Sequence, residues 1–253
     1  SAGITQVALG EAFTIALDSS GQVWAWGMNA DGQLGDGTTV SRTGSAALVQ
    51  GVGGVGTLSG VTAIAAGGKH ALALLSDGSV VAWGDNMYDQ IGDGAIADRS
   101  TPVALGSLAN IAYVTAYSAG SGAIASGGTL YSWGDDSIED NVAIPVEIAA
   151  GGSWASAEMR FGSFSAVTSD GKLVLAGKGA MGNRGDGKHL GPDSYLPLAA
   201  LESVTRAAAG EEFSLALASD GTVYAWGSNE FGQLGIGSIA PTYSNTLTTP
   251  LGW

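Results

Sequence analysis

Two histidines, His70 and His189, are the side chains of this chain best suited to proton transfer near neutral pH. His70 occupies a position of a repeated motif that Phe13 and Phe213 fill elsewhere, which indicates packing. His189 lies in the glycine-rich stretch GDGKHLGPD, which is typical of a solvated loop. Neither has neighbours spaced for a nucleophilic triad or a metal triplet. We therefore predict no catalytic residue, and a protein that is not an enzyme.

Two further patterns superficially resemble ligand sites. The string GVGGVG at 51–56 lacks the Lys-Ser/Thr that follows a phosphate-binding loop, and it is interpreted as a flexible insertion. Asp-Gly pairs at 31–32, 36–37, 93–94 and 186–187 lack the alternating acidic spacing of a calcium loop, and they indicate turns. Cysteine is absent, which excludes disulfides and thiolate ligands. We predict no metal and no cofactor.

An acidic cluster is formed by Asp135, Asp136, Glu139 and Asp140. It falls outside the best copies of the repeated motif. It is either a solvated turn or a contact for a partner or a cation, and Asp135 and Asp136 are candidate partner-binding residues.

These residues belong to a motif that recurs about every fifty residues. Its best copies are VWAWGMNADGQLGDG, VVAWGDNMYDQIGDG and VYAWGSNEFGQLGIG, and two degraded copies begin at Leu130 and Leu173. Such a period predicts a repeat architecture. The repeats span approximately 4–60, 61–109, 110–152, 153–203 and 204–253.

Each repeat reads as short strands joined by tight turns. In the second repeat, apolar runs at 61–66, 71–75 and 80–83 are separated by glycine turns, and 101–105 suits a fourth, edge strand. We predict an all-β fold, a single-domain β-propeller of about five four-stranded blades spanning 1–253. A linear solenoid is the competing arrangement. The tryptophan that recurs in the third strand is expected to be buried between blades, at Trp26, Trp83, Trp133 and Trp226.

The string A-A-G-x-x-H/F-x-L-A-L-x-x-D-G-x-V-x-A-W-G-x-N-x-x-G-Q-L-G-x-G resembles the repeats of the regulator of chromosome condensation (RCC1-like) family, in a bacterial or phage type. The resemblance implies a β-propeller. Family propellers usually have about seven blades, whereas this chain has five recognisable repeats. The repeats either close as a smaller ring or form an open arc or part of a larger assembly.

Composition narrows the classes of partner. The formal net charge is −14, and non-specific affinity for nucleic acid depends on Lys and Arg. No apolar run is long enough to span a membrane. We expect neither nucleic-acid binding nor membrane insertion. The first residue is Ser1, so a leader either was removed or is outside this sequence. Few lysines and no cysteine favour an extracellular or virion location, with the cytoplasm still possible.

Loops that vary between similar blades are the candidates for recognition. Three segments differ most: 38–60, 94–99 and 188–196. Deletion of 40–58 is expected to leave folding nearly intact but to reduce binding. The candidate partner-binding side chains are Tyr88, Asp135, Asp136, Tyr195, Phe231 and Tyr243.

Four functions fit these observations. The first is a non-enzymatic recognition or scaffold module that binds another protein, with a basic or neutral contact surface, through loops on one face. The second is a structural component of a virion or cell surface, such as a phage decoration or receptor-binding protein. The resemblance adds a secreted inhibitor of the β-lactamase inhibitor type and a guanine-nucleotide exchange factor. The sequence does not identify the partner or the oligomeric state.

Overall fold

The fold is built from β-strands in five antiparallel sheets. A computed structural model describes residues 3–135, 142–147, 154–160, 163–177, 196–197, 201, 203–210 and 213–250. Within those ranges the one helical segment is a short 3-10 helix, Val52–Gly54. None of the described helical structure is long or apolar enough to cross a bilayer.

Each sheet contains four strands in sequence order. The first sheet comprises β1 (Ile4–Leu9), β2 (Phe13–Asp18), β3 (Val23–Gly27) and β4 (Arg42–Leu48). The second comprises β5 (Val61–Ala66), β6 (His70–Leu75), β7 (Val80–Gly84) and β8 (Arg99–Ala104). The third comprises β9 (Ile111–Tyr117), β10 (Gly120–Ala125), β11 (Leu130–Gly134) and β12 (Val142–Glu147).

The fourth and fifth sheets repeat this order. The fourth comprises β13 (Trp154–Arg160), β14 (Ser163–Thr168), β15 (Leu173–Gly177) and β16 (Leu196–Pro197). The fifth comprises β17 (Val204–Ala209), β18 (Phe213–Ala218), β19 (Val223–Ser228) and β20 (Tyr243–Thr248). The all-β class and the four-stranded blade predicted from the sequence are therefore confirmed.

The hairpin between the second and third strands shows how local chemistry sets the register. Gly78 has a φ of +81°, which a side chain would disfavour. The Asp77 carboxylate accepts hydrogen bonds from the main-chain N–H of Ser79 at 2.9 Å and from its hydroxyl at 2.6 Å. The predicted Ser76-Asp77-Gly78 turn thus pairs β6 with β7 from Leu74↔Val80 to His70↔Gly84.

The chain divides into two compact units, Ser1–Ile148 and Ala149–Trp253, so the prediction of a single domain stays untested. In the first unit the sheets stack face to face. We call the face of each sheet that carries the motif tryptophan its front face and the opposite one its back face. The back face of the first sheet, with Phe13, Ile15 and Leu17, packs in one core with Ile64 and Trp83 on the front face of the second.

The same packing recurs along the chain. Leu72 and Leu74 on the back face of the second sheet share a core with Trp133 on the front face of the third. In the second unit, Leu173 of the fourth sheet packs with Trp226 of the fifth. Trp83, Trp133 and Trp226 are fully buried, as the sequence predicts.

Two expectations are wrong in the first repeat. Trp26 is not a core residue; it is 37% exposed, because the first sheet ends the stack of its unit and no other sheet of that unit covers its front face. The segment 40–58 is not an expendable loop. It contains all of β4, and Val49 and Leu58 on either side of the 3-10 helix are buried in the core. Deletion of 40–58 would therefore remove a strand.

Candidate recognition surface

Antiparallel order places two connections of each sheet at the same end. The turn between the first and second strands lies beside the long loop between the third and fourth. In the first unit these ends are joined from sheet to sheet: the Glu11 N–H donates to the Gly68 carbonyl at 2.9 Å, and the Gly68 N–H donates to the Ser118 carbonyl at 2.8 Å. We call this end of the sheets in the first unit, with loops 28–41 and 85–98, the loop rim; loop 229–242 is the equivalent loop of the second unit.

A buried asparagine fixes each of these loops. The side-chain amide of Asn29 donates to the carbonyls of Thr38 at 3.0 Å and Val40 at 3.3 Å, and its oxygen accepts from the Leu34 N–H at 2.8 Å. Asn86 and Asn229 make the corresponding bonds. The sequence analysis missed this role. Its signal was the Asn two residues after each Trp-Gly, which the degraded third and fourth repeats lack.

The loops are also fixed to the next sheet by tryptophan. The indole Nε1 of Trp83 donates to the Gln33 main-chain carbonyl at 3.0 Å, and Trp133 does the same to Gln90. Gly35 is needed for this approach, because a Cβ there would lie 2.8 Å from the Trp83 Nε1 and its φ is +62°. Loops 28–41 and 85–98 are therefore each held between two sheets, with exposed residues at the surface.

His70 has the packing role that the sequence predicts. It is fully buried, and its Nε2 lies 2.8 Å from the Ser121 hydroxyl, which donates to the Gln90 carbonyl at 2.8 Å. Since the Ser121 proton is used in that bond, Nε2 of neutral His70 donates to Ser121. Burial lowers the His70 pKa to about 4, against an opposing effect of the Ser118 carbonyl. A buried, neutral imidazole that serves as a structural donor is unsuited to proton transfer. His189 lies outside the described residues.

Two of the Asp-Gly pairs, at 36–37 and 93–94, are held by ion pairs, and the pair at 186–187 lies outside the described residues. Asp36 pairs with Arg42 at 2.7 Å and Asp93 with Arg99 at 2.6 Å, each joining a loop to the start of a fourth strand. Burial acts to raise the Asp36 pKa, but hydrogen bonds from Thr38 and Arg42 outweigh it and hold the pKa below its usual value. No cluster of potential metal ligands occurs among the described residues.

The structure places Tyr88 and Asp135 on the loop rim of the first unit and Phe231 on the equivalent loop of the second unit. Tyr88 and Phe231 occupy equivalent loop tips in their repeats and are both exposed, and each main-chain N–H donates to a glutamine side chain of its own loop. Asp135 is exposed just after β11, and its N–H donates to the Ala119 carbonyl at 3.1 Å. Tyr243 is half-buried at the start of β20. Asp136 and Tyr195 lie outside the described residues, as do Glu139 and Asp140.

Sequence reasoning missed the aliphatic part of this surface. Large apolar side chains beside Tyr88 and on the neighbouring loop of the first unit are exposed: Met28, Val40, Met87 and Ile96. Ile239 is exposed on the loop that carries Phe231. In the sequence these residues are marked only as apolar residues inside a loop. The structure adds that hydrogen bonds hold the loop. Exposed apolar side chains that form a patch mark interaction sites, whereas singly scattered ones are ordinary.

Two family models match the chain, both described as the Regulator of chromosome condensation (RCC1) repeat. One matches residues 4–33, 61–90 and 204–233, and the other matches 20–74 and 220–250. Together they cover just over half of the chain.

Curated relatives align with nearly the whole chain but are longer. The Ultraviolet-B receptor UVR8 of Arabidopsis thaliana is 29% identical in an alignment of 253 residues that covers 92% of this chain and 55% of the receptor. The human probable E3 ubiquitin-protein ligase HERC4 is 31% identical over 243 residues, which cover 94% of this chain and 18% of the ligase. The chain thus spans about half or less of the length of these relatives.

Solved structures show the fold. Human WBSCR16 matches with a TM-score of 0.79 at 23% identity, over 97% of this chain and 66% of that one. Prp20p from Saccharomyces cerevisiae, studied with its binding properties to Gsp1p and histones, matches with a TM-score of 0.68 at 20% identity, over 98% of this chain and 77% of that one. At these identities the likeness establishes the β-propeller fold class alone.

Proposed function

Because the chain belongs to the regulator of chromosome condensation (RCC1) repeat family, we propose that it is a protein-recognition module that binds its partner through the loop rim. It acts by non-covalent binding and catalyses no reaction. Prp20p is described as binding Gsp1p and histones. From that description we carry over only the class of activity, the binding of another protein.

One observation carries the proposal: exposed apolar side chains stand on loops whose backbones are fixed. Met87, Ile96 and Phe231 are 75%, 86% and 88% exposed. The Asn86 side chain holds the loop of Met87 and Ile96, and Asn229 holds that of Phe231. A pre-ordered loop loses little conformational entropy on binding, so contacts made by its tip contribute more fully to affinity.

Charge indicates the chemistry of the partner. Tyr88 is surrounded in sequence by Asp85, Asp89 and Asp98, and the net charge of the chain is −14. Arg99, the first residue of β8, is paired with Asp93, and Lys69, in the turn beside this loop, is paired with Asp31. The partner surface is therefore basic or neutral, with an apolar centre, and encounter with a basic partner weakens as salt rises. By the same argument DNA, a polyanion, is not a partner.

The test compares two variants in which exposed residues are replaced by serine, three on the loop rim and two elsewhere. Met87→Ser/Tyr88→Ser/Ile96→Ser removes apolar tips from the loop rim. Val52→Ser/Val55→Ser removes exposed apolar groups from the 3-10 segment, outside the loop rim. Wild-type protein on resin captures candidate partners from an extract of the source cells. Each candidate is then purified, and its affinity for the wild type and the two variants is measured by titration calorimetry.

If a captured protein binds through the loop rim, its affinity for the triple variant is lower than for the wild type by about tenfold or more, while its affinity for the control variant is unchanged. Equal affinities for all three proteins would show that the partner binds elsewhere. A turnover catalysed by the purified chain, and abolished by substitution of His70 or His189, would contradict the non-enzymatic role.

A further inference from the structure

The two interfaces between the sheets of the first unit differ at one pair of buried side chains. Between the first and second sheets, Phe13 and Ala71 lie in one apolar core. Between the second and third sheets, His70 and Ser121 take the matching register positions and are fully buried. Burying polar groups is less favourable than burying apolar ones of similar size. Because Phe13 and Ala71 show that packing needs no polar pair here, His70 and Ser121 serve a further role.

The polar pair begins a series of hydrogen bonds that ends on the loop rim. The Nε2 of His70 donates to the Ser121 hydroxyl at 2.8 Å, and this hydroxyl donates to the Gln90 main-chain carbonyl at 2.8 Å. The side-chain oxygen of Gln90 accepts from the Tyr88 main-chain N–H at 2.8 Å. A buried imidazole is thus connected to the exposed tip of loop 85–98.

The loop of the preceding repeat supplies a natural comparison. Its Gln33 carbonyl accepts from the Trp83 indole, as the Gln90 carbonyl accepts from Trp133, so both loops have the tryptophan bond. The Ser121 hydroxyl is a second donor to Gln90, whereas the alanine at the matching position has no polar side-chain atom. The chain therefore contains two versions of one loop anchor, and a titratable group takes part in one of them.

The surroundings of His70 disfavour its protonated form. Gly67 lies against the ring, where a Cβ would be 2.4 Å from Nδ1. Burial lowers the His70 pKa to about 4, and the opposing effect of the Ser118 carbonyl is smaller. An open state that brings the imidazole into water would restore its usual pKa of 6.5. Opening therefore becomes easier as pH falls from 6.5 to 4, and the closed state is fully favoured only above that window.

The ionisable side chains at this end of the sheets do not change that direction. Burial and the Ser118 carbonyl are the effects that act on the His70 pKa, with no contribution from a charged group among the described residues. Lys69 is paired with Asp31. The ionisable residues on the turns, strand end and loop around His70 are Glu11, Lys69, Asp85, Asp89, Tyr117 and Asp135.

We propose that His70 and Ser121 are positioning residues for recognition: they brace loop 85–98, which carries Tyr88, and acid releases this loop while loop 28–41 stays closed. The proposal rests on the proposed function, since it assigns the brace to the loop rim. Protonation of His70 acts through Ser121 and Gln90, and it needs no contact between His70 and a partner. A partner that requires the closed loop would be released in an acidic environment.

Hydrogen exchange of the free wild-type protein, measured by mass spectrometry, tests the brace. Peptides from loops 85–98 and 28–41 are followed from pH 7 to pH 5 and corrected for the intrinsic exchange rate. The protection of loop 85–98 should fall by about twentyfold, the ratio that pKa values of about 4 and 6.5 give for this interval. Loop 28–41 is the internal control and should keep its protection. Equal changes in the two loops, or no change in either, would overturn the proposal.

A variant built from the chain's own first interface supplies the matched control. His70→Phe/Ser121→Ala copies Phe13 and Ala71, so loop 85–98 should then respond to pH as loop 28–41 does. A twentyfold response that persists in this folded variant would also overturn the proposal. If the double variant does not fold, Ser121→Ala decides: at pH 7 it should reduce the protection of loop 85–98 and leave loop 28–41 unchanged, and an unchanged loop 85–98 would overturn the brace.

A last measurement separates the brace from the proposed function. The captured, purified protein partner, added in excess at pH 5, should restore the protection of loop 85–98 because it binds the closed loop. Unchanged protection with that partner bound would contradict recognition through the loop rim. The exchange of the free protein judges the brace independently of that result.

Discussion

Trp83 and Gln33 are fifty residues apart in the chain, and the indole Nε1 of one donates to the main-chain carbonyl of the other at 3.0 Å. This bond ties the second sheet to the loop that leaves the first. Trp133 makes the same bond to Gln90 one repeat later. The tryptophans therefore do two things at once: they fill the space between sheets and they fix the loops whose tips form the loop rim.

Truncation of Trp83 should be costly in a way that truncation of Trp26 is not. Trp83→Ala removes a fully buried side chain and leaves the Gln33 carbonyl without its donor, and we expect a loss of about 3–5 kcal/mol in the free energy of unfolding. Trp26→Ala removes a partly exposed side chain, so its loss should be clearly smaller. Urea unfolding measures both losses. Equal losses would contradict the interface assigned to Trp83.

Gly35, which packs against the Trp83 indole, should not tolerate a methyl group. Gly35→Ala places a Cβ 2.8 Å from the Trp83 Nε1 at a φ of +62°, and we expect a loss of about 2 kcal/mol or more. Gly44→Ala is the matched control, because nothing lies within 4 Å of its Cβ position. Thermal or urea unfolding compares the two. A Gly35→Ala protein as stable as Gly44→Ala would show that the loop and the indole are not in close contact.

Acid should destabilise the protein partly through His70. Its pKa is about 4 when folded and 6.5 when unfolded, so the unfolded state binds more protons between these values. This contribution is complete above pH 6.5 and is lost as pH falls toward 4, a change of about 3 kcal/mol. His70→Phe, which copies Phe13 and Phe213, should flatten the slope of unfolding free energy against pH in that window, whereas His189→Ala should keep it. An unchanged slope in His70→Phe would show that His70 can be protonated in the folded state.

The buried asparagine should control the order of its loop. Asn29→Ala leaves the Leu34 N–H without an acceptor and two carbonyls without their donor, at a cost of about 1–3 kcal/mol. We expect faster proteolysis within 28–41, measured by mass spectrometry of the fragments. Thr39→Ala changes an exposed residue of the same loop and should leave cleavage unaffected. Equal cleavage of the two variants would mean that the loop is held by other contacts.

The repeat motif predicted the fold well because its signals are local. Glycine turns such as Ser76-Asp77-Gly78 and apolar runs such as 71–75 are read within a few residues, and the structure pairs them as expected. The burial of Trp83 and Trp133 followed from the same repetition.

The errors came from contacts between repeats, which no single repeat encodes. Trp26 belongs to the motif as fully as Trp83, yet its burial depends on a neighbouring sheet that the motif cannot supply. The strand Arg42–Leu48 lies within a segment that differs between repeats, which favours a loop in the sequence; in the structure it pairs with β3 through its main chain.

The candidate surface was predicted only in part. Tyr88 and Phe231 were identified as aromatic residues in variable loops, and both are exposed. The role of Met87 and Ile96 was missed, since apolar residues in a loop are recognised as surface only when Asn86 is known to hold the backbone. Whether any of these residues contacts a partner stays a prediction.

Site-specific photo-cross-linking decides whether the chain recognises its partner through the loop rim. A photoreactive phenylalanine replaces Tyr88 on the loop rim or Asp77 in the hairpin at the opposite end of the same sheet. With the captured, purified protein partner, we expect a cross-link from position 88 that added salt weakens, and none from position 77. A cross-link from position 77 with none from position 88 would show that the partner binds the opposite end of the sheets.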